Sequence, residues 1–336
     1  MIGLMKLSIK YLIYWKFNII KRSVFKCIFY KKRVKMGNKP LVSVIMNCFN
    51  SDEYLKEAID SVLAQTYQNW ELIFWDNQST DNSANIVKSY KDDRIKYFYA
   101  PSFEPLCEAR NLALQQAKGD YIAFLDCDDK WYYKKLDKQI DLLINSRYSF
   151  CYTNYYLIYN NSLKKALTKK QPSGDIFEYQ IINYSIGLLS VMIKKSKLDE
   201  MDEKFDKNLT YPGDFDLFIR FLYKNEAVYI DECLCEYRAD NSNSITNTCK
   251  LENLLQTKLA IKKLSNLFYN DKNKQIFDIL KVKNIIQESG YYFRNMDFKK
   301  CREIIMPTRF ANKKSFALYI ATFLPNIILK YICKKV

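Results

Sequence analysis

Between residues 41 and 125, short apolar segments alternate with longer segments in which apolar residues recur every three or four positions. The short segments are rich in β-branched and aromatic residues and predict buried strands at residues 41–46, 70–75, 95–99 and 121–125. The longer segments predict helices after Asn50, over residues 82–90 and over residues 108–117. Strands and helices that alternate through short loops form a parallel sheet with right-handed crossovers, so this part of the chain is predicted to be an α/β domain.

The second half of the chain adds strands and then becomes helical. Further strands are predicted at residues 150–159, 188–193, 228–230 and 234–237, and a helix begins near residue 212. Residues 250–304 have helical periodicity, which we interpret as a helical appendage without chemistry. Residues 316–329 form an apolar run with lysines after it; the run is shorter than a membrane span and predicts either an interfacial segment or core packing.

Aromatic and polar residues directly follow three of the predicted strands. Phe49 follows the first strand, a loop that begins at Asp76 follows the second, and Asp126, Asp128 and Asp129 follow the fourth. The carboxyl ends of parallel strands share one edge of a sheet, where α/β proteins bind ligands. Carboxylates this close repel one another unless a cation neutralises them, and Mg²⁺ or Mn²⁺ prefers oxygen ligands. The pattern fits either a metal and nucleotide site or a simple acidic turn.

Asp214 is a second candidate for chemistry, because it lies in the first turn of the helix predicted near residue 212. The positive end of a helix dipole stabilises a carboxylate at such a position. By itself, the position suits a helix cap as well as a catalytic base.

The net charge of +16 is concentrated at the two ends of the 336-residue chain. Residues 1–35 hold ten Lys or Arg and no acid, residues 301–336 hold seven basic residues and one acid, and the middle is neutral. This distribution argues against binding of nucleic acid by the body of the protein and favours terminal segments that contact an anionic surface. Residues 1–38 are interpreted either as a basic amphipathic membrane-surface anchor or as an incorrectly assigned start, with Met36 as the true first residue.

Residue usage excludes several classes of site. The chain has no histidine and no Cys-x-x-Cys pair among its ten cysteines, which argues against a zinc site and against histidine-based nucleophilic catalysis. The scattered cysteines fit reduced thiols in a cytosolic protein. The chain has seven glycines and neither a Gly-x-Gly-x-x-Gly motif nor a Walker loop. A glycine-rich loop is therefore not expected to bind a diphosphate, and a metal would have to neutralise its charge instead.

Six separated motifs resemble, in the expected order, those of the family 2 glycosyltransferases, an inverting group with the GT-A fold. The motifs are Val42-Ser43-Val44-Ile45 with Phe49-Asn50; Ser61-Val62-Leu63 with Gln65-Thr66-Tyr67 and Trp70-Glu71; the loop of residues 76–81; Ala109-Arg110-Asn111; Leu125-Asp126-Cys127-Asp128-Asp129; and Gly213-Asp214 with Leu217 and Arg220. The resemblance spans residues 41–246. It implies a GT-A domain, a Rossmann-like mixed sheet flanked by helices, over residues 39–246. Residues 247–336 lie outside the resemblance, and their own pattern predicts a helical C-terminal region with an apolar and basic membrane-interface tail.

On the donor side, the resemblance implies roles for four matching residues. Phe49 would stack on the nucleotide base, and Asp76 and Asn77 would contact the donor, Asn77 at the edge of the base. Arg110 would bind the ribose or a phosphate.

Three further residues receive metal and catalytic roles from the resemblance. Asp126 and Asp128 would organise a divalent cation, Mn²⁺ or Mg²⁺, on the donor diphosphate, with Asp128 as the direct ligand. Asp214 would be the base that takes the proton of the acceptor hydroxyl.

The sequence departs from the family pattern at three positions. Asn77 replaces the second Asp of the base-binding loop, Gly213 replaces the Glu before the catalytic base, and Asp240 replaces a histidine that often follows the Tyr-Arg pair. The first departure bears on which nucleotide is bound, and the second on any role assigned to that Glu. The third removes a histidine contact to the diphosphate.

The expected protein is an inverting, metal-dependent glycosyltransferase of bacterial cell-surface polysaccharide biosynthesis. It would move a hexosyl or N-acetylhexosaminyl group from a nucleotide-diphosphate donor, a UDP-sugar, to a hydroxyl of a glycan or a lipid-linked acceptor. Its basic ends predict a cytoplasmic protein that is peripheral at the inner face of the cytoplasmic membrane. The alternative is a non-catalytic nucleotide-sugar-binding or scaffold protein of the same fold.

Overall fold

The computed structural model describes residues 39–160, 162–239 and 249–324. The strands are β1 Val42–Cys48, β2 Trp70–Asp76, β3 Ile95–Tyr99, β4 Tyr121–Phe124, β5 Lys130–Trp131, β6 Phe150–Tyr159, β7 Ser162–Lys165, β8 Met192–Lys194 and β9 Ala227–Arg238. The helices are α1 Asp52–Leu63, α2 Ser83–Ser89, α3 Leu106–Gln115, α4 Lys135–Leu143, α5 Phe177–Ile182, α6 Lys195–Asp199, α7 Gly213–Leu222, α8 Lys250–Phe268, α9 Lys274–Arg294, α10 Phe298–Ile305 and α11 Lys313–Ala321. Short 3₁₀ turns lie at Leu188–Ser190 and Met306–Thr308.

The strands form one mixed sheet in the order β3-β2-β1-β4-β8-β6-β9-β5, and β7 pairs with β6. The first four strands are parallel, as the alternation of strands and helices predicts, whereas β8 runs antiparallel to both β4 and β6. Two apolar clusters cover the faces of the sheet, one with α1 and α4 and the other with α3 and α7. The predicted α/β fold with a mixed sheet and C-terminal helices is confirmed.

The differences from the predicted elements lie in the second half of the sheet. The segment 188–193 divides into a 3₁₀ turn and the short strand β8. The two strands predicted at 228–230 and 234–237 are one twelve-residue strand, β9, whose pairing with β6 is interrupted by register shifts. A bulge interrupts the alternation of side chains along a strand. In the sequence, one bulged strand therefore resembles two short strands with a gap between them.

A buried hydrogen-bond network ties together the amino-terminal ends of the parallel strands. The Ser43 hydroxyl of β1 donates to Oε1 of Glu71 on β2 at 2.6 Å, and the same oxygen accepts the backbone N–H of Lys118 at 2.7 Å. The backbone N–H of Gly119 donates to the Ser43 hydroxyl at 2.8 Å. Three strands are thereby fixed to one another at the end opposite to their carboxyl edge.

The helices that follow the sheet pack against two helices of the α/β domain. Side chains of α8 and α9, such as Ile261 and Phe277, pack in one apolar cluster with Phe177 of α5 and with Phe215 and Ile219 of α7. Among the described residues, no helix is long and apolar enough to cross a bilayer. The interpretations of residues 1–38 and of residues 325–329 fall outside the described residues.

The contact at Gly119 generates a stability prediction. A Cβ there would lie 2.6 Å from the Ser43 nitrogen and 2.8 Å from the Leu41 carbonyl oxygen, both backbone atoms that cannot move separately from β1. Gly119→Ala is therefore expected to lower the free energy of unfolding by about 1–3 kcal/mol, the usual cost of overpacking.

Gly290→Ala is the matched control for this substitution. A Cβ at position 290, inside α9, meets no atom closer than 3.7 Å, so helix propensity favours the variant by about 0.5–1 kcal/mol. Thermal denaturation of both variants measures the difference, and equal midpoints for Gly119→Ala and the wild type would refute the close contact.

Candidate active site

A large cavity of about 2050 Å³ opens at the carboxyl edge of β1, β2 and β4. Six of the seven predicted site residues line it: Phe49, Asn77, Arg110, Asp126, Asp128 and Asp214. The cavity extends from this edge to α8, α9 and α11, so the C-terminal helices form one of its walls. The interpretation of residues 250–304 as a mere appendage is therefore incomplete, because α8 and α9 line the cavity.

The loop of residues 126–129, here called the acidic loop, carries three carboxylates into the cavity. Asp126 is paired with Arg110 of α3, whose Nη2 lies 3.0 Å from Oδ1 of Asp126. Asp129 is only 3% exposed, and burial together with the charges of Asp128 and Asp126 raises its pKa well above the ordinary value. The loop therefore concentrates negative charge that a bound cation would relieve.

Arg238, at the end of β9, is a second residue that fixes the acidic loop. Its Nε donates to the backbone oxygen of Asp128 at 3.1 Å, and its backbone N–H donates to Oδ1 of Asp129 at 3.1 Å. Its Nη2 pairs with Glu57 at 2.9 Å, and the guanidinium lies over the ring of Tyr54. The main-chain shape of the loop is thus set by partners far away in sequence.

Two exposed aromatic rings stand together at the rim of the cavity. Phe49 and Phe103 are about half exposed, and their ring centroids are 4.7 Å apart in an edge-to-face contact. Asn77 holds the Phe103 segment in place, because its amide Nδ2 donates to the Glu104 carbonyl at 2.8 Å and its Oδ1 accepts the Glu104 N–H at 3.2 Å. If Asn77 contacted a nucleotide base, it would use the same amide oxygen and nitrogen that already form hydrogen bonds with the Glu104 backbone.

Asp76 is the one predicted site residue that does not line the cavity. Its side chain is fully buried at the end of β2, where it accepts hydrogen bonds from the Tyr97 hydroxyl at 2.6 Å and from the Ser79 N–H at 2.8 Å. The expectation of a direct donor contact is therefore replaced by a supporting role, in which the carboxylate orders the loop that follows β2.

Asp214 enters the cavity from the first turn of α7. Its Oδ1 accepts the Phe215 N–H at 2.8 Å, and its Oδ2 accepts the hydroxyl of Tyr184 at 3.3 Å. Burial raises the pKa of Asp214 above the ordinary carboxyl value of 3.8, and the charge of Asp126 acts in the same direction. Arg110 and the two hydrogen bonds partly oppose this rise.

Gly213, the departure from the family's Glu, has a steric explanation. A Cβ at this position would lie 2.2 Å from the Sγ of Cys107, a fully buried side chain of α3. The absence of a side chain thus allows α7 to approach α3 closely and sets the position of the Asp214 backbone.

Sequence reasoning missed four residues of this site: Asn47, Phe103, Tyr184 and Arg238. Asn47 is the last residue but one of β1, beside the acidic loop, and its buried Nδ2 has no hydrogen-bond partner among the described residues. Its place two residues before Phe49, at the end of the same strand, is a signal that could have identified it. Phe103 and Tyr184 lie in irregular segments, where no periodicity of the sequence predicts which way a side chain points.

A second group of carboxylates, outside the cavity lining, already has its charge neutralised. Oxygen atoms of Glu203, Asp206 and Asp216 lie 2.6, 2.7 and 3.3 Å from the Lys263 amine, and Arg220 also pairs with Asp216 at 2.6 Å. Because two cationic side chains occupy this cluster, it supplies no reason to infer a metal there.

Comparison with known proteins gives one family and relatives of named activity. The sequence profile described as "Glycosyl transferase family 2" matches residues 43–234. The putative teichuronic acid biosynthesis glycosyltransferase TuaG of Bacillus subtilis is 34% identical over 215 residues, which cover 63% of this chain and 84% of that protein. The Escherichia coli enzyme WfgD, named as a UDP-Glc:alpha-D-GlcNAc-diphosphoundecaprenol beta-1,3-glucosyltransferase, is 34% identical over 212 residues, covering 62% and 81%.

Solved structures resemble the fold at lower sequence identity. Residues 1–349 of S. aureus TarS in complex with UDP-GlcNAc align with a TM-score of 0.61 and 17% identity, covering 84% of this chain and 90% of that one. The mannosyltransferase PcManGT of Pyrobaculum calidifontis, in complex with GDP-Man and Mn²⁺, aligns with a TM-score of 0.58 and 14% identity, covering 88% and 85%. The profile match covers more than half of the chain and agrees with the motifs and the sheet topology, and the protein accordingly belongs to glycosyl transferase family 2 as an enzyme with the GT-A fold.

Proposed function

We propose that this glycosyltransferase is an inverting, metal-dependent enzyme that transfers a hexosyl or N-acetylhexosaminyl group from a UDP-sugar to a hydroxyl of a glycan or lipid-linked acceptor. The observation that carries the proposal is that two separate elements bring the acidic loop and Asp214 to one cavity. Arg110 couples the two, since it pairs with Asp126 and its charge lowers the pKa of Asp214.

The residues of the acidic loop suit a divalent cation. Asp126 and Asp128 offer carboxylate oxygens, the ligands that Mg²⁺ and Mn²⁺ prefer, and both lie beside Asp129, whose pKa is raised first by burial and then by their charges. We assign Asp128 as the direct ligand and Asp126 as its partner. A cation held there would supply Lewis-acid stabilisation of the charge on the donor diphosphate. The structural neighbour PcManGT, solved in complex with GDP-Man and Mn²⁺, supports the use of a divalent cation.

On the donor side, Phe49 and Phe103 offer faces and edges for a nucleobase, because aromatic rings stack on bases of any identity. Asn77 would act mainly by holding the Phe103 segment through Glu104. Arg110 would bind the ribose or a phosphate. A uridine nucleotide is supported by the UDP-GlcNAc complex of the structural neighbour and by the name of the relative WfgD.

Asp214 would act as the general base. The acceptor oxygen attacks the anomeric carbon of the donor sugar, the bond from that carbon to the diphosphate oxygen breaks, and the acceptor proton passes to the Asp214 carboxylate. A single displacement of this kind inverts the anomeric configuration and passes through a transition state with oxocarbenium character. A base with a raised pKa accepts the proton more readily than an ordinary carboxylate does.

The names of the relatives and the charge distribution support the proposed acceptor and location. The name of WfgD describes a lipid diphosphate acceptor, and that of TuaG describes teichuronic acid biosynthesis. The ten basic residues within positions 1–35 would bind an anionic membrane surface. We therefore place the enzyme in cell-surface polysaccharide synthesis, peripheral at the inner face of the cytoplasmic membrane.

The metal assignment is tested by Asp128→Asn. Loss of the direct ligand is expected to weaken UDP binding in Mn²⁺ by about tenfold or more, to the level that the wild type shows in EDTA. Isothermal titration with UDP, with and without Mn²⁺, measures the effect. Asp93→Asn, an exposed acid that does not line the cavity, is the control and should bind like the wild type. Wild-type UDP affinity that does not respond to EDTA would remove the metal from the proposal.

The base assignment is tested by Asp214→Asn with a panel of UDP- and dTDP-sugars. The amide cannot accept a proton, so transfer is expected to fall by about 10² or more, whereas UDP binding in Mn²⁺ stays close to that of the wild type. Radiolabelled transfer and calorimetry give the two quantities. Loss of UDP binding together with transfer would make Asp214 a structural residue.

The hydrogen bond from Tyr184 to Asp214 predicts a change in the pH profile. It favours the charged carboxylate, so Tyr184→Phe is expected to raise the pKa of Asp214 further and to shift the acid limb of kcat/KM to higher pH. The limb itself should lie above 3.8, the ordinary value. Tyr179→Phe, which loses a hydroxyl outside the cavity, should leave the limb in place. If the acid limb does not move in Tyr184→Phe, it does not report the ionisation of Asp214.

A further inference from the structure

The central sheet is irregular at Tyr155 of β6, a residue that lines the cavity. The pairing of β6 with β9 shifts register on both sides of Asn154, so that Asn154 pairs with Cys233 and Tyr156 pairs with Glu236. Tyr155 is left without a paired residue on β9, a strand that the structure describes in full. Irregularities of this kind redirect a side chain away from the regular alternation of a strand, and they are common next to active sites.

The Asn154 side chain holds the backbone of Tyr155 at this irregularity. Asn154 is only 1% exposed, and its Oδ1 accepts the backbone N–H of Tyr155 at 2.9 Å and that of Leu167 at 3.1 Å. Its Nδ2 donates to the Leu167 carbonyl at 2.8 Å. A buried amide with its hydrogen bonds satisfied in this way fixes the backbone conformation of the residue that follows it.

The ring of Tyr155 lies against the backbone of Gly187, which also lines the cavity. A Cβ at position 187 would lie 3.0 Å from Cε1 and 3.1 Å from Cζ of Tyr155, closer than carbon atoms ordinarily approach one another. A side chain at position 187 would therefore displace the outer end of the ring, which carries the hydroxyl. Asn154 and Gly187 together determine where this hydroxyl lies.

The hydroxyl of Tyr155 forms no hydrogen bond with the residues that the structure describes. Burial raises the pKa of Tyr155 to about 12, and the nearby charges of Asp214 and Asp129 act in the same direction. The hydroxyl is therefore close both to the proposed base and to the acidic loop. At neutral pH it stays protonated, so it can donate a hydrogen bond to a ligand in the cavity.

Building on the proposed function, we infer that the Tyr155 hydroxyl donates a hydrogen bond to a hydroxyl of the transferred sugar and thereby contributes to the choice of donor. During transfer, the sugar lies between the diphosphate at the acidic loop and the acceptor oxygen at Asp214. The Tyr155 hydroxyl is close to both ends of this path. A donor fixed at this point selects for one sugar hydroxyl, because an analogue that lacks this hydroxyl leaves the tyrosine without its partner.

The test measures hydrolysis of UDP-glucose, of UDP-N-acetylglucosamine and of their monodeoxy analogues, in Mn²⁺ and without an acceptor. Tyr155→Phe is expected to lower kcat/KM for the better of the two parent donors by about three- to tenfold, the usual effect of one neutral hydrogen bond. The wild type should disfavour one deoxy analogue by a similar factor, whereas Tyr155→Phe should not distinguish that analogue from its parent. Tyr156, the next residue of β6, does not line the cavity, so Tyr156→Phe is the matched control and should behave like the wild type.

Three results would overturn the inference. Equal kcat/KM in Tyr155→Phe and the wild type would show that the hydrogen bond is not made. A loss of the same size with the parent and with every deoxy analogue would mean that Tyr155 acts without contact to a sugar hydroxyl. Isothermal titration with UDP and Mn²⁺ gives the third result: UDP has no sugar at its diphosphate, so weaker binding of UDP by Tyr155→Phe would assign the hydroxyl to the nucleotide.

The proposed function and this inference can fail independently. Absence of metal-dependent hydrolysis of every donor by the wild type would count against the proposed function. Isothermal titration with the parent donors and their deoxy analogues then decides the inference, because binding requires no turnover. The wild type should bind one parent more tightly than one of its analogues, and Tyr155→Phe should bind the two equally. Equal affinities of the wild type for a parent and all its analogues would refute the contact with the sugar.

Discussion

Mutual repulsion among the three carboxylates after β4 is the constraint on which the arrangement of the cavity depends. Arg110 of α3 and Arg238 of β9 hold the acidic loop, yet burial of Asp129 still raises its pKa well above the ordinary value. Two arginines therefore shape the loop, and Arg238 offsets only part of the rise in the pKa of Asp129. A loop of this kind is stable only within a rigid frame, and the parallel strands with their helices supply that frame.

The sequence was informative wherever a residue follows a regular element directly. Phe49, the acidic loop and Asp214 could be placed from the ends of two strands and the start of one helix, and all of them line the cavity. The same reasoning misplaced Asp76, because a strand end reports the edge of a sheet but not whether a side chain faces the ligand or the neighbouring strand. The position of a residue along a strand or helix predicts where its side chain points only when the neighbouring side chains are known.

The remaining features depend on tertiary contacts that leave no local pattern. Phe103 and Tyr184 come from irregular segments. The hydrogen bond from Asn77 to Glu104 sets the place of Phe103, and the hydrogen bond to Asp214 sets that of Tyr184. The role of the C-terminal helices was missed for a related reason: helical periodicity reveals which residues share a face, but not what that face covers. Gly213 shows the converse, since an apparent defect in a motif has its explanation in the buried Cys107 of another helix.

The hydrogen-bond network of Ser43, Glu71 and Gly119 lies at the opposite end of the strands from the cavity. Cohesion of the sheet and recognition of substrates are therefore assigned to different ends of the same strands. A substitution at the cavity therefore leaves untouched the hydrogen bonds that fix the register of the strands at their other end.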